Sequence, residues 1–223
     1  MLAFNVNAAV DVSTYIPKNA PTYIPTVAEQ LQLIYPEFKV KHYVPALIEH
    51  ESCITLTGRS CWNPKTEFIT HRERGSGLGQ LTKTFDKNGK IRNDTLTSLR
   101  NQNKELLREL SWSNITSRPD LQIRAIILLM RSNHKAFANI PGYFSRLAFT
   151  DASYNSGLGN VNRDRRQCRL RANCDPNLWF GNVEVNCTLS RKILYGKRSA
   201  CDINRNHVKD VLTVRLDKYL PLM

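Results

Sequence analysis

Residues 125–130, AIILLM, are apolar on every side of a helix. A helix that is hydrophobic all round needs neighbours on all its faces, so other elements must wrap it. The run is too short to cross a bilayer. Pro119 and Asp120, just upstream, suit the first turn of that helix. The chain is therefore expected to be mainly α-helical, built round one buried central helix.

The remaining elements follow from punctuation and periodicity. Residues 1–25 hold three prolines and read as an extended N-terminal arm, leaving 26–223 as the folded domain. Thr26–Tyr35 predicts a short amphipathic helix with Thr26 as N-cap, stopped by Pro36. Phe68–Gly75 is polar and basic and reads as a loop. Phe85–Arg92 carries Asn88-Gly89 at the centre of a turn between two short strands. Residues 94–110 read as one helix, Tyr143–Asn155 as another, Leu189–Tyr195 as a short one and Asn204–Tyr219 as the last long one.

Val44–Ser52, VPALIEHES, carries the first candidate for chemistry. On a helix, Val44, Leu47, Ile48 and Glu51 share one face, and Glu49 and His50 point elsewhere. Burying a carboxyl at the end of an apolar face disfavours its charged form. A carboxyl kept protonated is a general acid. The alternative is a helix that ends on a boundary Glu beside Ser52.

Two further motifs lie downstream. Gly75-Ser76-Gly77-Leu78-Gly79-Gln80 is glycine-rich, which lets backbone approach a ligand closely. It lacks the GK[ST] ending of a phosphate loop and the spacing of a dinucleotide fold. Ala152-Ser153-Tyr154-Asn155-Ser156-Gly157 supplies an amide that both donates and accepts, followed by residues that stop a helix. A Glu-Ser pair, then Gly-Leu-x-Gln, then Tyr-Asn-x-Gly, in that order, resembles the soluble lytic transglycosylase and goose-type lysozyme superfamily. The resemblance runs from about Val44 to Leu212.

That resemblance implies a lysozyme-like (α+β) domain, with a small lobe and a helical lobe round a glycan cleft. It implies cleavage of the β-1,4 bond between N-acetylmuramic acid and N-acetylglucosamine in bacterial peptidoglycan, with Glu51 as the catalytic acid and base. Substrate would be held by Ser52, Ser76, Gly77, Leu78, Gln80, Tyr154, Asn155 and His207. No metal and no cofactor is implied. Trp62-Asn63-Pro64-Lys65 resembles the family's Asn-Pro segment, displaced by an insertion between Cys53 and Cys61. The family's usual Met before the Gln is Gly79 here, and His207 stands where the closing motif normally has Tyr. Hydrolysis of the same bond stays open, because Glu67, Glu73 and Asp86 are available as a second carboxylate. A non-catalytic wall-binding or structural virion protein is the reading from another class.

Charge bears on partners. Lys and Arg number 32 against 19 Asp and Glu, a net charge of +13. Such a surface suits a polyanion: nucleic acid, an anionic envelope or an anionic cell wall. Neither zinc-finger spacing nor an RNA-recognition signature is present, so no nucleic-acid partner is expected. Arg163–Arg171, with five arginines and one aspartate, reads as a solvated loop or an envelope contact. Six cysteines form no CxxC pair, which disfavours a zinc site. Their neighbours in sequence suggest local loops, Cys53 with Cys61, Cys168 with Cys174 and Cys187 with Cys201, while free thiols stay open in a reducing cytosol. The N-terminal stretch has no Lys or Arg before its apolar residues and makes a poor secretory signal. The expectation is a monomeric phage endolysin, made in the host cytoplasm and acting on the periplasmic wall; a virion-associated lysin is the other setting.

Overall fold

Pro119 opens the central helix, α5, which runs Pro119–Ala136 and buries Leu121, Ile123, Ala125, Ile126, Ile127, Leu128 and Met130. This is the wrapped helix expected from the all-apolar run; only Leu129 of residues 125–130 is partly open. The computed structural model describes residues 10–223. Helix α1 (Ala20–Ile34) packs on α5 through Ile24, Val27, Leu31 and Ile34, one stripe at helical spacing. It starts at Ala20, not at Thr26, and Pro25 lies inside it. Pro25 lies beyond the first turn, where a proline removes one backbone hydrogen bond of the helix. Burial of Ala20 and Ile24 carries the helix back past it. The arm expected over residues 1–25 therefore loses 20–25 to α1, and 1–9 lie outside the described residues.

Helix α2 (Tyr43–Ser52) follows. A single apolar face is too narrow a description of it, because Tyr43 to Glu49 are all buried. Glu49, expected to point away from the core, is fully enclosed. Its carboxylate meets Lys218 Nζ at 2.8 Å and Arg215 Nε at 2.9 Å, and accepts from the Tyr219 hydroxyl at 2.5 Å.

A four-stranded antiparallel sheet follows in meander order: β1 (Glu67–Ile69), β2 (Glu73–Ser76), β3 (Leu81–Phe85) and β4 (Ile91–Asp94). The stretch read as a loop over 68–75 is the β1–β2 hairpin, with Phe68 opposite Gly75. The turn expected at Asn88-Gly89 joins β3 to β4, and Asp86 Oδ1 accepts from the amides of Asn88 and Lys90. Asp94 ends the sheet and caps α3 (Thr95–Gln102), accepting from the Thr97 amide at 2.8 Å. The single helix expected over 94–110 is broken at Asn103. There the side-chain amide takes the Leu99 carbonyl, and α4 (Lys104–Leu107) begins afresh.

Helix α6 (Tyr143–Ser156) lies between α5, α7 (Leu158–Arg169) and α8 (Ala200–Lys209). Arg163–Arg169 is thus helix rather than loop. Its inward positions explain why: Asp164 is buried and paired to Arg205 at 2.6 Å, Cys168 is buried, and Arg165 lies over the rings of Phe137 and Phe149. Residues 193–195 form strand β5 (Ile193–Tyr195), paired with β6 (Arg198–Ser199), not the short helix expected there. Ser199 and Asp202 close a reciprocal cap at the start of α8. The last helix changes pitch: a wide turn covers Asp210–Arg215 and a tight one Asp217–Leu222. Three disulfides join Cys53 to Cys61, Cys168 to Cys174 and Cys187 to Cys201, the local pairs suggested by sequence neighbourhood. The protein is thus α+β, a helical body with a small antiparallel sheet. Among the described residues no helix is long and apolar enough to cross a membrane.

Candidate active site

A cleft of about 720 Å³ opens between the sheet and the helices. Phe68, Glu73, Gln80, Thr82 and Thr84 line it from the sheet side. Glu51, Leu129, Asn133, Tyr154 and Asn155 line it from α2, α5 and α6, and Leu194 and Tyr195 from β5. Among the described residues no group of three His, Cys, Asp or Glu side chains is placed to hold a metal ion.

Glu51 reaches the cleft from the last turn of α2, its side chain 16% exposed. Behind it lies a chain of hydrogen bonds. His207 Nε2 is 2.9 Å from Glu51 Oε1, and His207 Nδ1 is 2.7 Å from Asp151 Oδ2. Tyr43 donates to Asp151 Oδ1 at 2.8 Å. His207 and Asp151 are almost wholly buried. Burial alone would strip the imidazole of its proton, but the Asp151 carboxylate and the hydrogen bonds to Asp151 and Glu51 outweigh it and push His207 up to about 10. Burial, reinforced by Asp151, holds the Tyr43 phenol well above its ordinary range, so it stays a donor. The ring of His50 abuts His207 at 4.2 Å between centroids, and His50 Nδ1 is 2.5 Å from Asp210.

Of Glu67, Glu73 and Asp86, the three acids available as a second carboxylate, one lines the cleft. Glu73, on β2, lines it and accepts from the Tyr195 hydroxyl at 2.6 Å. Burial first, then Glu73, raises the Tyr195 phenol, which keeps its proton. Tyr195 also meets the edge of Phe68 at 5.8 Å. Glu67 is turned to Arg74 and Ser76, whose hydrogen bonds lower its pKa, and Asp86 is spent inside its turn.

The glycine-rich segment is built for close approach. A side chain at Gly79 would strike Ile126 of α5 and the Tyr154 hydroxyl, which donates to the Gly79 carbonyl at 2.8 Å. A side chain at Gly79 would therefore force Ile126 and Tyr154 to shift. Gly77 has φ +79 and sits against the Gln122 side chain. Gln80 turns its amide to the Gly77 carbonyl at 2.9 Å while its side chain lines the cleft. Asn155 is exposed in the opposite wall, its Oδ1 taken by Asn204 at 3.0 Å.

Five residues expected to touch substrate lie off the cleft wall. Leu78 is buried in the core, its amide bonded to Gln122. Gly77 carries the turn that sends Leu78 inward. Ser76 is buried and donates to Glu67. Ser52 is buried, donating to the Ile48 carbonyl and accepting from the Trp62 amide, so it ties the end of α2 to the Cys53–Cys61 loop. His207 stands behind Glu51 rather than beside it. Glu51, Gln80, Tyr154 and Asn155 do share the cleft. Asp151, Tyr43, Tyr195 and Phe68 were not singled out from sequence. Asp151 had a signal: it is a lone acid in the apolar run LAFTDASY, one helical turn before Asn155. Tyr195 had none, because the hairpin that aims it is set by a distant pairing.

Comparison with protein-family models, with curated proteins and with solved structures gave no match to this chain.

Proposed function

We propose that this protein cleaves the glycan strands of bacterial peptidoglycan, as a lytic transglycosylase on a lysozyme-like frame with Glu51 as acid and base. One observation supports the reading: Glu51 faces the cleft backed by a buried imidazole, with the amide side chains of Gln80 and Asn155 lining the same cleft. In this reading Glu51 protonates the oxygen between N-acetylmuramic acid and N-acetylglucosamine, through an oxocarbenium-like transition state. The resulting carboxylate takes the proton of the muramoyl 6-hydroxyl as that oxygen closes on C1, giving a 1,6-anhydro end. Gln80 and Asn155 suit the amides and hydroxyls of amino sugars. The setting is a phage endolysin.

Glu73 favours a second reading, hydrolysis by a muramidase. It is a carboxylate in the same cleft, held by Tyr195, and an inverting glycosidase needs such a group to activate water. Chromatography and mass spectrometry of digested sacculi separate the two, by anhydro ends or reducing ends. Glu51→Gln keeps the shape and loses the proton, so turnover should fall by about 10²–10⁴. No release of muropeptides by the folded wild type, or equal release by Glu51→Gln, overturns the proposal.

A further inference from the structure

Asp151 carries two hydrogen bonds at zero exposure, one from Tyr43 and one shared with His207 Nδ1. A carboxylate only accepts, so Nδ1 must carry a proton. The other ring nitrogen, Nε2, then faces Glu51 with one further proton between them. Placed on Nε2, that proton makes an imidazolium beside a carboxylate. Placed on Oε1, it makes a neutral imidazole beside a carboxylic acid. The two arrangements hold the same number of protons and have the same net charge.

We propose that Asp151 and His207 are positioning residues that form a proton store for Glu51, exchanging one proton with it through the reaction, so that the rate stays level with pH as long as the pair keeps that proton. The proposal rests on the reading of Glu51 as the acid. In the forward step the proton passes from Nε2 to Glu51, and from Glu51 to the glycosidic oxygen. The C1–O bond breaks with its electron pair going to that oxygen. His207 is then neutral, its Nδ1–H still held by Asp151. The attacking hydroxyl, from the sugar or from water, gives its proton to Glu51 as it bonds to C1. Glu51 passes the proton back to Nε2, and the store is refilled.

The surroundings suit this use. From α2, Glu51, His50 and Tyr43 face the assembly; from α6, Asp151 and Tyr154 do. Tyr154 keeps its proton, raised by burial first and then by Glu51 and Asp151, and spends it on the Gly79 carbonyl. His50 is engaged by Asp210, itself paired to Arg215. Among the described residues no Lys or Arg bonds to Glu51, His207 or Asp151, so no fixed cation competes for the proton.

Two measurements on the full chain test the store. The first is nitrogen NMR of histidine-labelled protein across a pH series, in wild type, Glu51→Gln and Asp151→Asn. His207 should hold both ring protons well above neutral pH, and each substitution should weaken its proton affinity by roughly tenfold or more. The second is the pH profile of muropeptide release by His207→Gln, checked for fold by circular dichroism. Without the store, the variant's rate should fall steadily as pH rises from about 5 to about 8, a range over which the wild-type rate stays level. A His207 that titrates near about pH 6.5, or a His207→Gln rate lowered by one factor at every pH, overturns the store. If NMR gives the expected result but the wild type releases no muropeptide at any pH, the reading of Glu51 as a glycosidic acid falls, and the catalytic use of the store falls with it.

Discussion

Lys218 Nζ lies 2.8 Å from Glu49 Oε1, and neither side chain is more than 3% exposed. The same Nζ donates to the backbone carbonyls of Val12 and Tyr15, so one ammonium joins the segment before α1, the acid helix α2 and the last turn of the chain. Two residues beyond Glu49, the same helix delivers Glu51 to the cleft.

Glu49→Gln should therefore leave Lys218 an uncompensated buried cation, while Arg215 keeps only Asp210. Breaking a buried pair in this way costs about 3–5 kcal/mol. Adding Lys218→Met should restore part of the loss, because it removes one stranded charge. Urea denaturation of the two variants checks both statements, and equal midpoints for single and double variants would refute the second.

Gly79 and Gly159 offer an opposed pair. Alanine at Gly79 would strike Ile126 and Tyr154, and overpacking of this kind costs about 1–3 kcal/mol. Alanine at Gly159, inside α7 with open space round it, should stabilise by about 0.5–1 kcal/mol. Thermal melts of both variants should move in opposite directions.

Stability should depend on His207 in a defined pH window. Its folded-state pKa is about 10, against about 6.5 in an unfolded chain, so the folded state binds the proton more tightly. The stabilisation is fully present below about pH 6.5 and is lost as pH rises toward about 10. Urea midpoints measured across that window should fall more for the wild type than for His207→Gln. Parallel curves would show that the imidazole gains nothing from its two carboxylates.

Under the proposed function, the basic face of α7 is expected to draw the protein to the wall. Arg163, Arg166, Arg169 and Arg171 are exposed, whereas Arg165 is packed on aromatic rings. Replacing those four with Gln should flatten the salt dependence of sacculus binding, since exposed charges are screened beyond about 8 Å at physiological salt. Turnover of a short soluble glycan should not change. A matching salt response in wild type and variant would make this face a solvated surface only.

What the sequence made legible was local. Pro119 and the run Ala125–Met130 announced the central helix, and Asn88-Gly89 announced the turn of the sheet. The three disulfides followed sequence neighbourhood. Glu51, Gln80, Tyr154 and Asn155 do meet in one cleft, although they span 104 positions (155 − 51). The misses came where a distant partner overrides local pattern. Glu49 is inside because Lys218, Arg215 and Tyr219 neutralise it, and none of them is near it in sequence. His207 was placed among the substrate contacts because position in a motif does not say on which side of Glu51 a ring will lie. Arg163–Arg169 looked like loop because Asp164 and Arg165 do not advertise the buried partners that hold them in a helix.

The distances along the chain between α2 and its partners have a further consequence. Glu51 and His207 are 156 positions apart, and Glu49 and Tyr219 are 170. A ribosome making this protein releases α2 long before the groups that complete it. Until those groups emerge, docking α2 would bury Glu49 without compensation, which is strongly unfavourable. We expect the nascent chain to hold α2 undocked, and the cleft unformed, through most of translation. Limited proteolysis of stalled chains should find the 43–52 segment open to cleavage in any chain stopped before residue 207, and protected in one stopped with residue 219 clear of the exit tunnel. Protection in the shorter chains would show that α2 docks on the α5 core without its late partners.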